Sequence, residues 1–347
     1  MNSREYGGDK RAALGVYGTG DGALDEKIQH LHTNKPIETN FSDIYKSEEI
    51  KTDLQEVERI KQSPTYQKER TFEATRAEAV IVFCLSGREL LGKNSTGYLA
   101  SEFDDIKKGT DAVAYMRNPL DPENMKTDLL LAIDITSSEN DDILEEKLSK
   151  SIRRLDRKTQ SPGNRGSCLT KLKYYKDDDR PKNELLNHYV VPISNFQSKE
   201  MADIITGKKK DERGAELELQ IQTLFILRQQ AYVQLTVALD KYTDLNRQEF
   251  SPYFNLSEEQ KNNTDEILDL FTPENITWLK KLTTEQGVPE IWTSIEKNIQ
   301  LVGYCDSLLE ELVNTKKRAS DIISRGSYDY GAQFISRMTR RSALNFF

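Results

Sequence analysis

The sequence predicts an α/β fold, a mixed sheet flanked by helices, with an all-helical region at the C-terminal end. Three observations carry that prediction. Helical and strand-like segments alternate through the middle of the chain. Two of the strand-like segments carry an aspartate near one end, at Asp111 and Asp134. Past residue 243 the apolar residues recur only at helical spacing. The chain divides accordingly into a flexible N-terminal arm (1–45), an α/β core (46–242) and a helical C-terminal domain (243–347).

Residues 1–45 are polar, glycine-bearing and without sustained periodicity, as expected of an arm. In 47–63, Ile50, Leu54, Val57 and Ile60 fall at helical intervals behind Ser47 and Glu49, which suit a first turn. The segment "TFEATRAEAVIVFCLSGRELLG" (71–92) is apolar and long enough for a buried helix, with a break at Ser86-Gly87. "SEFDDIKKGT" reads as an acidic turn with Asp104 and Asp105 in solvent. "TDAVAYM" (110–116) and "DLLLAIDIT" (128–136), joined by the proline-rich "RNPLDPENMKT", read as neighbouring strands. "DDILEEKLSKSIRRLD" (141–156) aligns Leu144, Leu148, Ile152 and Leu155 on one helix face behind an acidic first turn. Two further strands follow in "CLTKLKYYK" and "HYVVPIS", and 216–242 reads as a long buried helix whose "FILRQQAYVQL" is core. Beyond it, "FNLSEEQKNNTDEILDLF", "TPENITWLKKL" and 288–324 open on Ser, Thr or Pro signals and run in helical period.

Composition narrows the function classes. With 31% charged residues, a net charge of -8 and a mean hydropathy of -0.69, the chain is expected to be soluble, and no apolar run approaches the roughly 20 residues that cross a bilayer. The N-terminal residues lack the apolar stretch of a secretory signal, so a cytoplasmic location is expected. Cys84, Cys168 and Cys305 are far apart and form no CxxC pair, which signals neither a disulfide framework nor a zinc site. The three histidines, His30, His32 and His188, build no Ser-His-Asp or Cys-His arrangement. The glycines of "GVYGTGDG" follow no strand and lack the lysine of a phosphate loop.

What remains is the acids. Asp134 interrupts an otherwise apolar strand, and period-two alternation puts it on the same face as Thr136. A carboxylate there needs donors or a cation, because desolvating it unpaired costs several kcal/mol or neutralises it. A magnesium or manganese ion shared by Asp111 and Asp134 would meet that need, and such an ion can activate water and steady a phosphoryl group. Two structural roles compete: Asp134 as a cap on the helix starting near 140, or as the partner of an arginine.

The order of elements, with an aspartate at a turn and a second acid two dozen residues later in a buried strand followed by a helix, resembles the restriction-endonuclease-like PD-(D/E)XK superfamily. "SEFDDIKKGTDAVAY", "LLLAIDITSS", "EEKLSKSIRRLD" and "LQIQTLFILRQQ" look in particular like an uncharacterised bacterial family from minimal-genome lineages, over residues 71–240. The resemblance implies a mixed-sheet nuclease core with Asp111 and Asp134 as metal-binding and catalytic acids, and with Glu78 or Glu73 as an additional helix acid. It also implies a lysine two residues after the second acid, where this chain has Thr136. Lys147 or Lys150, on the next helix, would have to reach back and take that role.

Charge distribution adds a candidate surface for nucleic acid. From Lys147 to Lys176 there are ten Lys or Arg and one acid, Asp156. Arg153, Arg154, Arg157, Lys158, Lys171 and Lys173, with Tyr174, Tyr175 and the lysines of "TGKKKDER", form a candidate path for a DNA or RNA backbone. The competing description is a solvated helix face and a charged loop, favoured by the acidic overall charge. Two functions stand side by side: a metal-dependent nuclease acting on nucleic acid, with Asp111, Asp134 and Lys147 catalytic, and a catalytically silent nuclease-fold protein that binds or scaffolds, with the C-terminal helices as a protein-docking unit.

Overall fold

The central strands are buried on both faces, and their alternate side chains enter two separate apolar clusters, one on each side of the sheet. In a computed structural model, the described residues are 19–33, 35–64, 66, 71–119, 128–137, 143–144, 146–148, 169–175, 185–212, 214–245, 273–285 and 289–325. Their elements are α1 (Gly22–Thr33), a 3-10 turn (Glu38–Phe41), α2 (Ser47–Lys61), α3 (Phe72–Gly87), β1 (Thr96–Leu99), α4 (Glu102–Lys108), β2 (Ala112–Met116) and β3 (Leu129–Thr136). After β3 come β4 (Leu169–Lys171), β5 (Leu185–Pro192), α5 (Asn195–Ile205), α6 (Ala215–Leu245), α7 (Pro273–Glu285), α8 (Pro289–Thr315) and α9 (Ala319–Arg325).

The sheet is mixed, in the order β1-β2-β3-β5-β4. β1, β2 and β3 form an antiparallel meander, β5 lies parallel to β3, and β4 closes the far side antiparallel to β5. A parallel β3–β5 pair demands a long crossover, and residues 143, 144 and 146–148, which are helical, belong to it. The expectation of an α/β fold with a flanked mixed sheet is met, and the expected neighbours at 110–116 and 128–136 do pair.

One face of the sheet, with Ala112, Ala114, Met116, Leu131, Ile133, Ile135, Tyr189 and Val191, joins the main core. The opposite face, with Val113, Leu130, Ala132, Leu172 and Leu186, makes a smaller cluster. The helix expected over 71–92 ends at Gly87, as its Ser-Gly pair suggested, and its β-branched Val80, Ile81 and Val82 are completely buried in the main core. α3 comes so close to β1 that a Cβ on Gly97 would stand 2.5 Å from the Leu85 Cβ, which is why a glycine interrupts that strand.

Two expectations are corrected. The N-terminal arm is folded from Gly22 to Thr33, where Asp21 caps the helix by accepting the Ala23 and Leu24 N–H groups, and Leu24, Ile28 and Leu31 enter the main core. Those three positions do fall at helical spacing, a stripe too short to stand out against the polar residues around it. Residues 38–41 are also ordered: the buried Glu38 carboxylate accepts the Phe103 N–H at 2.9 Å. The second correction concerns the C-terminal helices. α8 places Leu301, Val302, Cys305, Leu308 and Leu312 in the same core as the sheet, and Asn298 accepts a hydrogen bond from the Tyr189 hydroxyl of β5 at 2.8 Å. The helical C-terminal part is thus built onto the α/β unit. The helix expected in "FNLSEEQKNNTDEILDLF" lies outside the described residues.

β4 is short and covers β5 only from Leu185 to Asn187, leaving the backbone beyond it in need of partners. α6 supplies them through side-chain amides. Gln230 accepts the Val190 N–H at 2.9 Å and donates to the Val190 carbonyl at 2.6 Å, and Gln234 donates to the His188 carbonyl at 2.7 Å.

The α3–β1 contact gives a direct test. Gly97→Ala should lower the stability to urea unfolding by about 1–3 kcal/mol, because neither the strand nor the Leu85 Cβ can move without repacking the core. A change below about 0.5 kcal/mol would show that the two elements separate easily.

Candidate acidic site

Strand register builds the site. Ala112 pairs with Ile133 across the antiparallel β2–β3 ladder, so Asp111, one residue earlier, stands opposite Asp134 on the same face. The Asp111 N–H donates to the Ile133 carbonyl at 2.9 Å, and its Oδ2 accepts the Ile135 N–H at 2.6 Å. Asp134 accepts the Lys147 ammonium at 2.6 Å through Oδ1. Both aspartates remain partly open to solvent, so a small ion or a phosphate oxygen can approach them.

The local backbone explains why Asp111 is placed there. Ser101 caps α4 by accepting the Asp104 N–H, and Gly109 ends that helix in the left-handed conformation at φ 60°. That turn favours glycine, and it brings the Gly109 Cα side to the Asp134 Oδ2: a Cβ there would lie 3.9 Å from it. His188 of β5 holds the same turn, with Nε2 2.8 Å from the Gly109 carbonyl; the bond requires the proton on Nε2.

Four carboxylates and one ammonium share the electrostatics. Burial raises the Asp111 carboxyl well above the ordinary aspartate range, and Glu78, Asp134 and Asp105 push the same way, against Lys147. Burial disfavours the Lys147 ammonium, yet Asp134 and Asp111 more than offset it, and Glu78 adds to their effect, so its pKa lies above the usual lysine value. Of the two helix acids considered in the sequence, Glu78 is therefore the one that the site feels. Glu73 is exposed in the first turn of α3, beside its cap Thr71. Of the two lysines considered in the sequence, Lys147 reaches Asp134, and Lys150 lies outside the described residues. Among the described residues, no three His, Cys, Asp or Glu side chains are grouped to hold a metal ion.

One acid expected in solvent is not there, and its neighbour Asp105 is half-buried. Asp104 is 1% exposed and holds a junction together: it accepts the Ser101 hydroxyl at 2.9 Å, the Lys173 N–H at 2.8 Å and the Tyr174 N–H at 2.9 Å. Burial raises its pKa, partly countered by those two backbone donors. Asp105, one residue on, adds to the field at Asp111. The sequence hid this because α4 is only seven residues long and reads as a turn.

The proposed nucleic-acid path is only partly described. Arg153, Arg154, Arg157 and Lys158 lie outside the described residues, and Lys171 is exposed on β4. Lys173 is engaged: its ammonium contacts Asp53 at 2.5 Å and Glu49 at 2.7 Å and lies over the rings of Tyr45, Phe103 and Tyr174. Tyr174 is completely buried and donates to Asp53, and Tyr175 donates to the Tyr115 hydroxyl. These residues fasten β4 to the N-terminal helices. In "TGKKKDER", Lys208 and Lys209 pair with Asp21 and Glu200.

The raised Asp111 carboxyl predicts a pH dependence with a definite sign. Its proton is held more tightly in the folded chain than in the unfolded one, so with chelator present stability should fall as pH rises from about 4 through the raised pKa. Asp111→Asn, which keeps an acceptor for Ile135, should remove that component of the fall. Urea unfolding across a pH series measures it, and parallel curves for the two proteins would refute the assignment.

The chain matches no family model, no curated protein and no solved structure, so the reading of this site rests on its own geometry.

Proposed function

We propose that the chain is a metal-dependent, nuclease-like protein of restriction-endonuclease type, acting on the phosphodiester backbone of nucleic acid at Asp111, Asp134 and Lys147. The observation that carries this reading is the Lys147 ammonium 2.6 Å from Asp134, which supplies from the following helix the cation that Thr136 does not provide. Charge balance supports it as well. Even without Asp111, whose carboxyl holds its proton unusually tightly, Glu78, Asp105 and Asp134 outweigh one ammonium, so a phosphodiester would be repelled unless a cation came with it. Two aspartates on one face suit magnesium or manganese, which take few protein carboxylates and keep several waters.

Each residue then has a distinct task. Asp111 and Asp134 would hold the ion, with the Ile135 N–H fixing the Asp111 carboxylate. Glu78 would bear on the ion's waters from α3. A bound dication would polarise the phosphoryl group and lower the pKa of a water. Lys147, anchored on Asp134, would offer its remaining donors to a phosphate oxygen as negative charge develops there. The exposed Lys171 and the basic segment 153–158 would supply sequence-independent backbone contacts.

A second reading has its own support. The Lys147–Asp134 contact is also a sound structural ion pair, and among the described residues no three His, Cys, Asp or Glu side chains are grouped to hold a metal ion. On that reading the chain is a silent nuclease-fold protein that binds or scaffolds. Incubation with magnesium or manganese and single- or double-stranded DNA or RNA separates the two. The wild type should cut at least one of these, Asp134→Ala should not, and Lys147→Ala should lose about 100-fold or more in rate. Magnesium should also raise the wild-type Tm through binding to the folded state, and Asp134→Ala should abolish the rise. No cleavage with either ion on any of the four substrates would leave the binding reading in place.

A further inference from the structure

Strand directions show which helix ends lie at the aspartates' end of the sheet. β5 runs parallel to β3 and leaves the sheet beside Thr136, whose carbonyl accepts the Ile193 N–H; Ser194 caps α5 immediately afterwards. β1 ends at Leu99, opposite Ala112 and next to Asp111, so it begins at the far end of the sheet. α3, which leads into β1, must therefore start at the near end, in keeping with the influence of its Glu78 on Asp111. The first turns of α3 and α5 thus both lie at the same end of the sheet as the acids, on helices that pack against the sheet face opposite the one carrying them.

Each of those first turns carries an exposed phenylalanine. Phe72 is 62% exposed and Phe196 is 71% exposed, the two highest values among the described large apolar side chains. Phe72 lies six residues before Glu78, about 9 Å along the helix axis. The two turns are tied together: the Arg76 Nε, one turn after Phe72, donates to the Ser198 Oγ of α5 at 3.3 Å. Lys199, exposed, follows Phe196 by three residues on the same helix face. A single exposed apolar side chain needs no explanation. Two phenyls on linked helix ends, with an arginine and a lysine next to them and a candidate phosphodiester site beyond, form a coherent set.

We propose that Phe72 and Phe196 are a stacking platform for unpaired bases of a single-stranded nucleic acid, whose backbone Arg76 and Lys199 help to lead toward Asp111 and Asp134. The proposal rests on the nuclease reading and adds a substrate class to it. Base faces are available for stacking in a single strand and already occupied in a duplex. A phenyl stacks on any base, so the platform reads strandedness and not sequence. Arg76 and Lys199, on the same two helices as the phenyls, add positive charge there, which suits a polyanion with flat apolar faces better than an apolar protein surface.

The test separates stacking from cleavage. Single-stranded DNA of about twelve nucleotides carrying 2-aminopurine, and its duplex form, are titrated against the chain in chelator, where no cleavage interferes. Wild type should bind the single strand more tightly and change the 2-aminopurine fluorescence. Phe72→Ala and Phe196→Ala should each weaken single-strand binding about tenfold, with duplex binding unchanged. Phe196→Trp should restore it, and circular dichroism confirms folding. Unchanged single-strand affinity in the folded double alanine variant, or no single-strand binding by wild type, overturns the platform. Cleavage by wild type that is insensitive to both alanine substitutions overturns the platform alone. Stacking-dependent binding without cleavage under magnesium or manganese upholds the platform and overturns only the nuclease reading.

Discussion

Antiparallel pairing of β2 with β3 sets Asp111 directly across from Asp134, and like charges facing each other across a ladder destabilise the sheet. Much of the surrounding architecture answers that repulsion. The Ile135 N–H donates to the Asp111 carboxyl and the Lys147 ammonium pairs with Asp134. The left-handed Gly109 and the imidazole of His188 fix the turn that aims Asp111. Behind that turn, Asp104 gathers two backbone N–H groups and a hydroxyl, so α4 cannot drift and release the strain. A chain selected for stability alone would replace such a pair with apolar residues.

The sequence made the centre of the fold legible and blurred its borders. Asp134 was conspicuous because seven of the eight β3 residues are buried apolar side chains or a threonine, and a lone carboxylate in such a run has few explanations. The β2–β3 pairing was readable for a similar reason: both segments are apolar and their connection is rich in turn residues. β1, α4 and α5 were missed. β1 is four residues long and contains a glycine, α4 is seven residues long, and α5 has an exposed phenylalanine in its first turn. Short elements carry too few turns for a period to declare itself. α1 was missed because its three buried positions are diluted among polar ones.

Charge proved less transparent than hydrophobicity. Lys173 and Tyr174 looked like a basic-aromatic pair fit for a polyanion, yet they sit beneath Asp53 and Glu49, which come from a helix 120 residues earlier. No local pattern reports a partner that far away. The reverse error befell Asp104, whose surroundings in sequence are those of a surface turn. Lys147 was the exception. Helical spacing fixed its place on the crossover and the lone carboxylate at Asp134 gave a reason to look for a cation, although only tertiary packing brings it there.

The glutamines of α6 act as a gauge. Gln230 and Gln234 are one helical step of four residues apart, a rise of about 6 Å, and the strand residues they grip, Val190 and His188, are two apart, about 6.6 Å. The two repeats nearly coincide, so both grips can close at once, but only in one alignment. Inserting or deleting a single residue within either span would put one amide out of reach of its backbone target. An added residue would be absorbed more readily in the 206–214 stretch between α5 and α6, where it can loop out while helix and strand stay in step.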